Sequence, residues 1–185
     1  HAEVTDALEK FEFSRFYQII LKYCVVDLSQ FYFDIQKDPL YADGVDSHAR
    51  RSTQTALDVI LRSLAVMIAP VLSHLAEDIW LNLPEAARDG VESVFLLDWP
   101  KAEEMKTNIP VAERWSQVEQ WRDVVLKALE ECRKEKSIGA ALEAHVTLEP
   151  LSEAMRVHLN ALGTELLAKI VIASQVTVAD KVGTG

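Results

Sequence analysis

The chain has 185 residues, of which 49% are hydrophobic, and a formal net charge of −10 from 29 acidic and 19 basic side chains. This composition predicts a folded globular protein rather than a disordered one, and no apolar run is long enough to span a membrane. The acidic balance disfavours indiscriminate nucleic-acid binding. Because salt screens surface charge beyond about 10 Å, the balance is still compatible with a local basic patch.

The N-terminus and the two cysteines indicate the compartment. Acidic side chains at Glu3, Asp6 and Glu9 are incompatible with a secretory signal. Cys24 and Cys132 both lie on apolar helical faces, which favours free thiols over a single disulfide, the alternative that the pattern leaves open. We therefore expect a cytoplasmic protein.

Residues 2–33 carry apolar side chains at helical spacing and predict one or two helices. Four aromatic side chains lie within this stripe, and they form either a packed helix face or a stacking surface for bases. These aromatic residues are Phe11, Phe13, Phe16 and Tyr17. Pro39 closes the region, because its ring opposes continuation of a helix.

A second helical region follows. Ser47 is the candidate cap of a long helix over about residues 48–69. Pro70 then either starts a new helix or kinks the old one, and the apolar pattern continues to Trp80. In the long loop beyond it, the extended apolar segment 93–100 is expected to pack over the helices.

The last long helix is predicted to open at Asn108, with Pro110 in its first turn. Its apolar face runs to Cys132, and Gly139 offers the tight-turn conformation that ends a helix. Basic side chains in the last turns suit the negative end of the helix dipole.

The remaining tail predicts a strand, a helix and a strand, which together form a small α+β module. The three segments are residues 142–148, 151–162 and about 166–178. Whether residues 165–170 stay helical is left open by the pattern. So short a tail cannot bury a core alone, and we expect it to pack on other elements.

The sequence offers little for catalysis or metal binding. His74-x-x-Glu77 is the nearest feature to the repeated Glu-x-x-His units of di-metal bundles, but it occurs once and in reversed order. Ser73 cannot pair with His74, because adjacent helical residues point about 100° apart. We expect no metal, no cofactor and no catalysis in this segment by itself.

The basic residues are more informative. Arg122 and Arg133 are eleven residues apart, which places them within roughly 20° on one helix face, and Lys136 follows at the helix end. With Arg50, Arg51 and Arg62 of another helix, they are candidates for a phosphate-binding strip. Spacing alone favours the alternative, a solvated helix flank.

Three stretches resemble the anticodon-binding region of isoleucyl-tRNA synthetases, which are class I aminoacyl-tRNA ligases. The first is Cys24-Val-Val-Asp-Leu-Ser-Gln-Phe-Tyr-Phe-Asp-Ile-Gln-Lys-Asp-Pro-Leu-Tyr41. The second runs from Arg51-Ser-Thr-Gln-Thr-Ala-Leu57 to Ile68-Ala-Pro-Val-Leu-Ser-His-Leu-Ala-Glu-Asp-Ile-Trp80, a pattern that valyl and leucyl relatives share. The third is Lys127-Ala-Leu-Glu-Glu-Cys-Arg-Lys-Glu-Lys-Ser-Ile-Gly-Ala-Ala-Leu-Glu-Ala144, which with the first points to the isoleucine enzymes.

The resemblance implies a mainly α fold: a helical bundle over residues 1–137 and a small α+β module over 138–185. It implies recognition of the anticodon arm of isoleucine tRNA. The adenylate signatures of class I enzymes, the editing domain and the cysteine-rich zinc element do not occur in this sequence. Aminoacylation, with ATP, Mg²⁺ and an optional zinc site, would therefore belong to a catalytic body elsewhere in the parent enzyme.

Under this interpretation the basic strip contacts the RNA backbone, and aromatic and polar groups meet unstacked anticodon bases. The candidate RNA-binding residues are Arg50, Arg51, Arg62, Trp121, Arg122, Arg133, Lys134 and Lys136. Two alternatives stay open: the same domain of a valyl or leucyl relative, and a helical protein–protein module without an RNA role.

Overall fold

The computed structural model describes residues 1–101 and 109–183, so the predicted helix start at Asn108 lies outside the described residues. The chain forms two compact units, His1–Lys106 and Thr107–Gly185. Among the described residues, no helix has both the length and the apolar character that a membrane crossing requires.

The first unit is helical. Its α-helices are α1 (Ala2–Glu9), α2 (Phe13–Lys22), α3 (Phe33–Ile35), α4 (Lys37–Tyr41), α5 (His48–Ile68) and α6 (Ser73–Leu81). A π-helical stretch, Tyr23–Tyr32, joins α2 to α3 without a break. Within this stretch Leu28 is buried, whereas Val25 and Val26 are exposed.

Local capping chemistry sets the ends of α5 and α6. The Ser47 hydroxyl accepts a hydrogen bond from the Arg50 backbone N–H at 3.5 Å, which confirms the predicted cap. After Pro70 the chain turns, and α6 begins as a new helix at Ser73. Burial of Phe16, Ile68 and Trp80 forms the centre of this unit's core.

The segment after α6 packs on the helices, as predicted. Val94 is buried, and the Trp80 indole donates a hydrogen bond to the Val91 carbonyl at 3.1 Å. The Glu77 carboxylate accepts from the Ser93 hydroxyl at 2.9 Å and from the Val94 backbone N–H at 3.0 Å. Glu77 therefore anchors this segment to α6.

Among its described residues, the second unit combines three α-helices with a two-stranded sheet. Its elements are α7 (Ile109–Lys134), β1 (His145–Leu148), α8 (Glu153–Leu162), α9 (Thr164–Val171) and β2 (Gln175–Val178). The two strands pair in parallel, with His145 opposite Gln175 and Leu148 opposite Val178. Parallel strands need a long crossover, and α8 and α9 supply it. Residues 165–170, left open by the sequence, are helical.

The core of the second unit joins α7 to the C-terminal elements. Val118, Trp121 and Val125 of α7 are buried in one cluster with Leu159 and Leu167. The structure thus groups α7 with the C-terminal elements and divides the chain near residue 106, whereas the sequence placed the boundary after residue 137. The mainly α fold class with a small α+β part is confirmed.

Removing the side chain of Leu159 is expected to destabilise the second unit. Leu159→Ala leaves a cavity at a fully buried position and should lower the free energy of unfolding by about 2–5 kcal/mol. Val157→Ala, on the exposed side of the same helix, is the control and should change it by less than about 0.5 kcal/mol. Urea unfolding followed by circular dichroism measures both, and equal effects would contradict the packing described.

Candidate nucleic-acid interface

The C-terminal end of α7 is a Schellman turn, in which one residue takes the left-handed conformation. Lys136 is that residue, with φ of +60°. The Ser137 N–H donates to the Cys132 carbonyl at 2.9 Å, and the Lys136 N–H to the Arg133 carbonyl at 3.0 Å. The prediction that Gly139 ends the helix is therefore wrong, because α7 ends at Lys134, five residues earlier, and Gly139 is not left-handed.

Three cations surround this turn, which we call the basic turn (residues 133–139). A groove of about 420 Å³ is lined by Glu130, Arg133, Lys134, Lys136, Ile138 and Gly139. Arg133 pairs with Glu130 at 2.7 Å on the exposed helix surface. Within the described part of the chain, Lys134 and Lys136 make no ion pair. Their ammonium groups are exposed and able to meet an external anion.

A carboxylate holds the far end of the basic turn. The Gly139 backbone N–H donates to the Glu143 side chain at 2.7 Å. A Cβ atom at position 139 would lie 3.2 Å from both carboxylate oxygens, so the absence of a side chain permits this approach. Glu143 belongs to a short 3₁₀ turn, Ala141–Glu143, that leads into β1.

Two of the predicted contact residues instead serve the interior of the second unit. Trp121 is only 7% exposed and packs in the core of the second unit. Arg122 is half-buried, and its Nε donates to the Ile170 carbonyl at 2.9 Å, in the last turn of α9. Desolvation lowers the pKa of Arg122. A cation at this position satisfies a carbonyl at the negative end of a helix.

The predicted arginines of the first unit lie on α5. The Arg50 guanidinium donates to the Asp43 carbonyl at 3.0 Å, and Arg62 pairs with Asp58 at 3.0 Å and Asp89 at 3.3 Å. Arg51 is exposed. It lines an open depression of about 840 Å³ with His48, Ser52, Thr55 and other α5 residues. Of these three arginines, Arg51 has no hydrogen bond from its side chain to another described residue.

The aromatic residues near the N-terminus divide between core and surface. Phe16 is buried, whereas Phe11 is 78% and Tyr17 62% exposed. The rings of Phe11 and Phe13 meet edge to face, with centroids 6.3 Å apart. Phe11 ends α1 in the same left-handed turn that Lys136 forms after α7, with φ of +56°. Of the four aromatic residues Phe11, Phe13, Phe16 and Tyr17, only Phe16 therefore lies on a packed helix face.

Comparison with known proteins identifies the first 148 residues. A family model described as the anticodon-binding domain of tRNA ligase matches residues 1–148. The chain belongs to this family of anticodon-binding domains. The match begins just before α1 and ends with the last residue of β1, so it includes both the exposed face of α5 and the basic turn.

The similar full-length proteins are isoleucine–tRNA ligases. That of Synechococcus sp. (strain CC9311) is 43% identical over 83% of this chain and 16% of its own length. That of Crocosphaera subtropica is 41% identical over 96% of this chain and 19% of its own length. This anticodon-binding domain therefore spans less than a fifth of these relatives. The resemblance to isoleucyl-tRNA synthetases is confirmed.

Sequence reasoning missed both the left-handed residue and the Glu143 hydrogen bond of this anticodon-binding domain. Glycine is the usual left-handed residue at a helix end, and the nearest glycine drew the predicted stop to position 139. A glutamate four residues after a glycine carries no comparable signal. The two features became visible only in the three-dimensional structure of the turn.

Arg122 and Arg133 are expected to differ in their effect on stability. Arg122→Met removes a charge-assisted hydrogen bond to a helix end and should lower the free energy of unfolding by about 1–2 kcal/mol. Arg133→Met removes only an exposed ion pair, so its effect should stay below about 0.5 kcal/mol. Urea titration distinguishes them. An unchanged free energy of unfolding in Arg122→Met would show that the Ile170 contact contributes nothing to stability.

Proposed function

We propose that this chain recognises the anticodon arm of isoleucine tRNA as a segment of an isoleucine–tRNA ligase. Support comes from the family match over residues 1–148 and from relatives named isoleucine–tRNA ligase at 41–47% identity. The aminoacylation reaction, with ATP and Mg²⁺ and any zinc site, belongs in this proposal to the catalytic body of the parent enzyme. The proposed compartment is the cytoplasm.

The exposed cations supply the contact with the RNA backbone. Lys134 and Lys136 present ammonium groups beside the groove at the end of α7, and Arg133 lies next to them. On α5, Arg51 is the arginine most available to a phosphate. Each phosphate contact of this kind positions RNA without reading its sequence. Bases are read in this proposal by polar and aromatic groups.

The conformation of Lys136 is the observation that assigns one of the proposed phosphate contacts to a particular residue. A residue with a Cβ in the left-handed region costs roughly 1–2 kcal/mol, and glycine would adopt the same turn without that penalty. A phosphate contact of Lys136 would offset this cost, which glycine would avoid. The exposed Lys136 ammonium finds no anionic partner among the described residues, and an RNA phosphate would supply one.

Fluorescence anisotropy with the isoleucine anticodon stem-loop, across a salt series, tests the proposed function. We expect binding that weakens with salt, since phosphate contacts release counterions. The valine and leucine stem-loops are the specificity controls. Stronger binding of either would assign the domain to that relative. No binding of any stem-loop, together with capture of a defined protein partner, would favour a protein–protein module.

Lys136→Gly is expected to separate stability from RNA binding. It relieves the left-handed strain and should raise the free energy of unfolding by up to about 1 kcal/mol. It also removes one cation, so the slope of log K against log salt should become less steep by about 0.7–0.9.

Phe11→Gly is the matched control, because it relieves the same strain at an exposed residue of the other unit without removing a charge. It should stabilise the chain and leave both affinity and salt slope unchanged. Lys136→Arg should restore the slope. Unchanged binding by Lys136→Gly would contradict the assignment.

A further inference from the structure

We propose that Glu143 is a positioning residue for RNA binding, because its carboxylate fixes the backbone of the basic turn at Gly139. This inference rests on the proposed function and names a residue that neither the sequence pattern nor the family match singles out. An acidic side chain would thus assist binding of a polyanion. Its contribution is geometric, and its charge by itself acts in the opposite direction.

The basic turn is fixed at both of its ends. At one end the Schellman bonds from Lys136 and Ser137 hold it to the last carbonyls of α7. At the other end the Gly139 N–H donates to Glu143 at 2.7 Å. Between them, the Ile138 side chain packs against the core of the second unit. With both ends held, the backbone that carries Lys134 and Lys136 is fixed, and less backbone freedom is lost on binding.

Gly139 is required by this arrangement for space and not for its backbone freedom. Its φ lies outside the left-handed region, so alanine can adopt the same backbone. Alanine would nevertheless place a Cβ 3.2 Å from both Glu143 oxygens, closer than such contacts ordinarily come, so the carboxylate would have to move by a few tenths of an ångström. Gly139→Ala therefore disturbs the same hydrogen bond from its other side.

The charge and the hydrogen bond of Glu143 can be separated by two substitutions. Glu143→Gln removes the charge and keeps an oxygen that accepts from the Gly139 N–H. Glu143→Ala removes both. Because the two variants carry the same charge, the difference between their RNA affinities isolates the hydrogen bond.

We expect Glu143→Ala to bind the isoleucine anticodon stem-loop roughly five-fold more weakly than Glu143→Gln, the size of one lost hydrogen bond to a backbone donor. Their salt slopes should be equal, because the number of cations is the same. The control pair is Glu131→Gln and Glu131→Ala, on the exposed surface of α7, where the side chain makes no hydrogen bond to another described residue and equal affinities are expected.

A double-mutant cycle with Lys136→Asn tests whether Glu143 acts through the basic turn. Asparagine tolerates the left-handed conformation and removes the charge. Once Lys136 is gone, the gap between the Gln and Ala variants at 143 should shrink to less than about two-fold. Gly139→Ala combined with Glu143→Ala should likewise add no further loss, since both break one bond.

Three results would overturn the inference. Equal affinities of Glu143→Gln and Glu143→Ala would show that the hydrogen bond is irrelevant to binding, and tighter binding by Glu143→Ala would show that the carboxylate competes with a phosphate. An unchanged gap in the Lys136→Asn background would show that the residue acts elsewhere. If the unmodified chain binds no stem-loop at all, the proposed function fails. The hydrogen bond between Gly139 and Glu143 is then still tested by amide hydrogen exchange at Gly139, which Glu143→Ala should accelerate and Glu143→Gln should not.

Discussion

The end of α7 is the constraint on which the second unit depends. Two backbone hydrogen bonds close the helix around Lys136, and the chain then runs through Ile138 into the core and on to β1. The left-handed residue therefore marks where the helix stops. A lysine in that position places a cation at the junction.

The basic residues of this chain divide by what already engages them. Arg122 donates to a helix end inside the second unit, and Arg62 lies between two aspartates on the first. Lys134 and Lys136 are exposed at a groove. In a chain with net charge −10, such a patch acts only over the short range that screening allows. The positions of these cations consequently matter more than the total charge, and the fixed backbone of the basic turn helps to set those positions.

Periodicity predicted much of this fold, because helices with one buried face leave a strong pattern. The cap at Ser47 was predicted from side-chain chemistry, and a new helix after Pro70 was one of the two alternatives that the pattern left open. The π-helical stretch was not predicted, since its wider turns break the spacing on which the prediction relied. Burial of Trp121 was readable from its helical spacing, yet its aromatic character also suggested a base contact. The role of Arg122 could not be predicted either, because its partner Ile170 is distant in sequence.

The most direct measurement is a crystal structure of the chain bound to the isoleucine anticodon stem-loop. The account predicts a backbone phosphate oxygen about 3 Å from the Lys136 ammonium, with the Gly139 N–H still donating to Glu143. An RNA that leaves the end of α7 open to solvent, for example one seated only against the exposed rings of Phe11 and Tyr17, would contradict it.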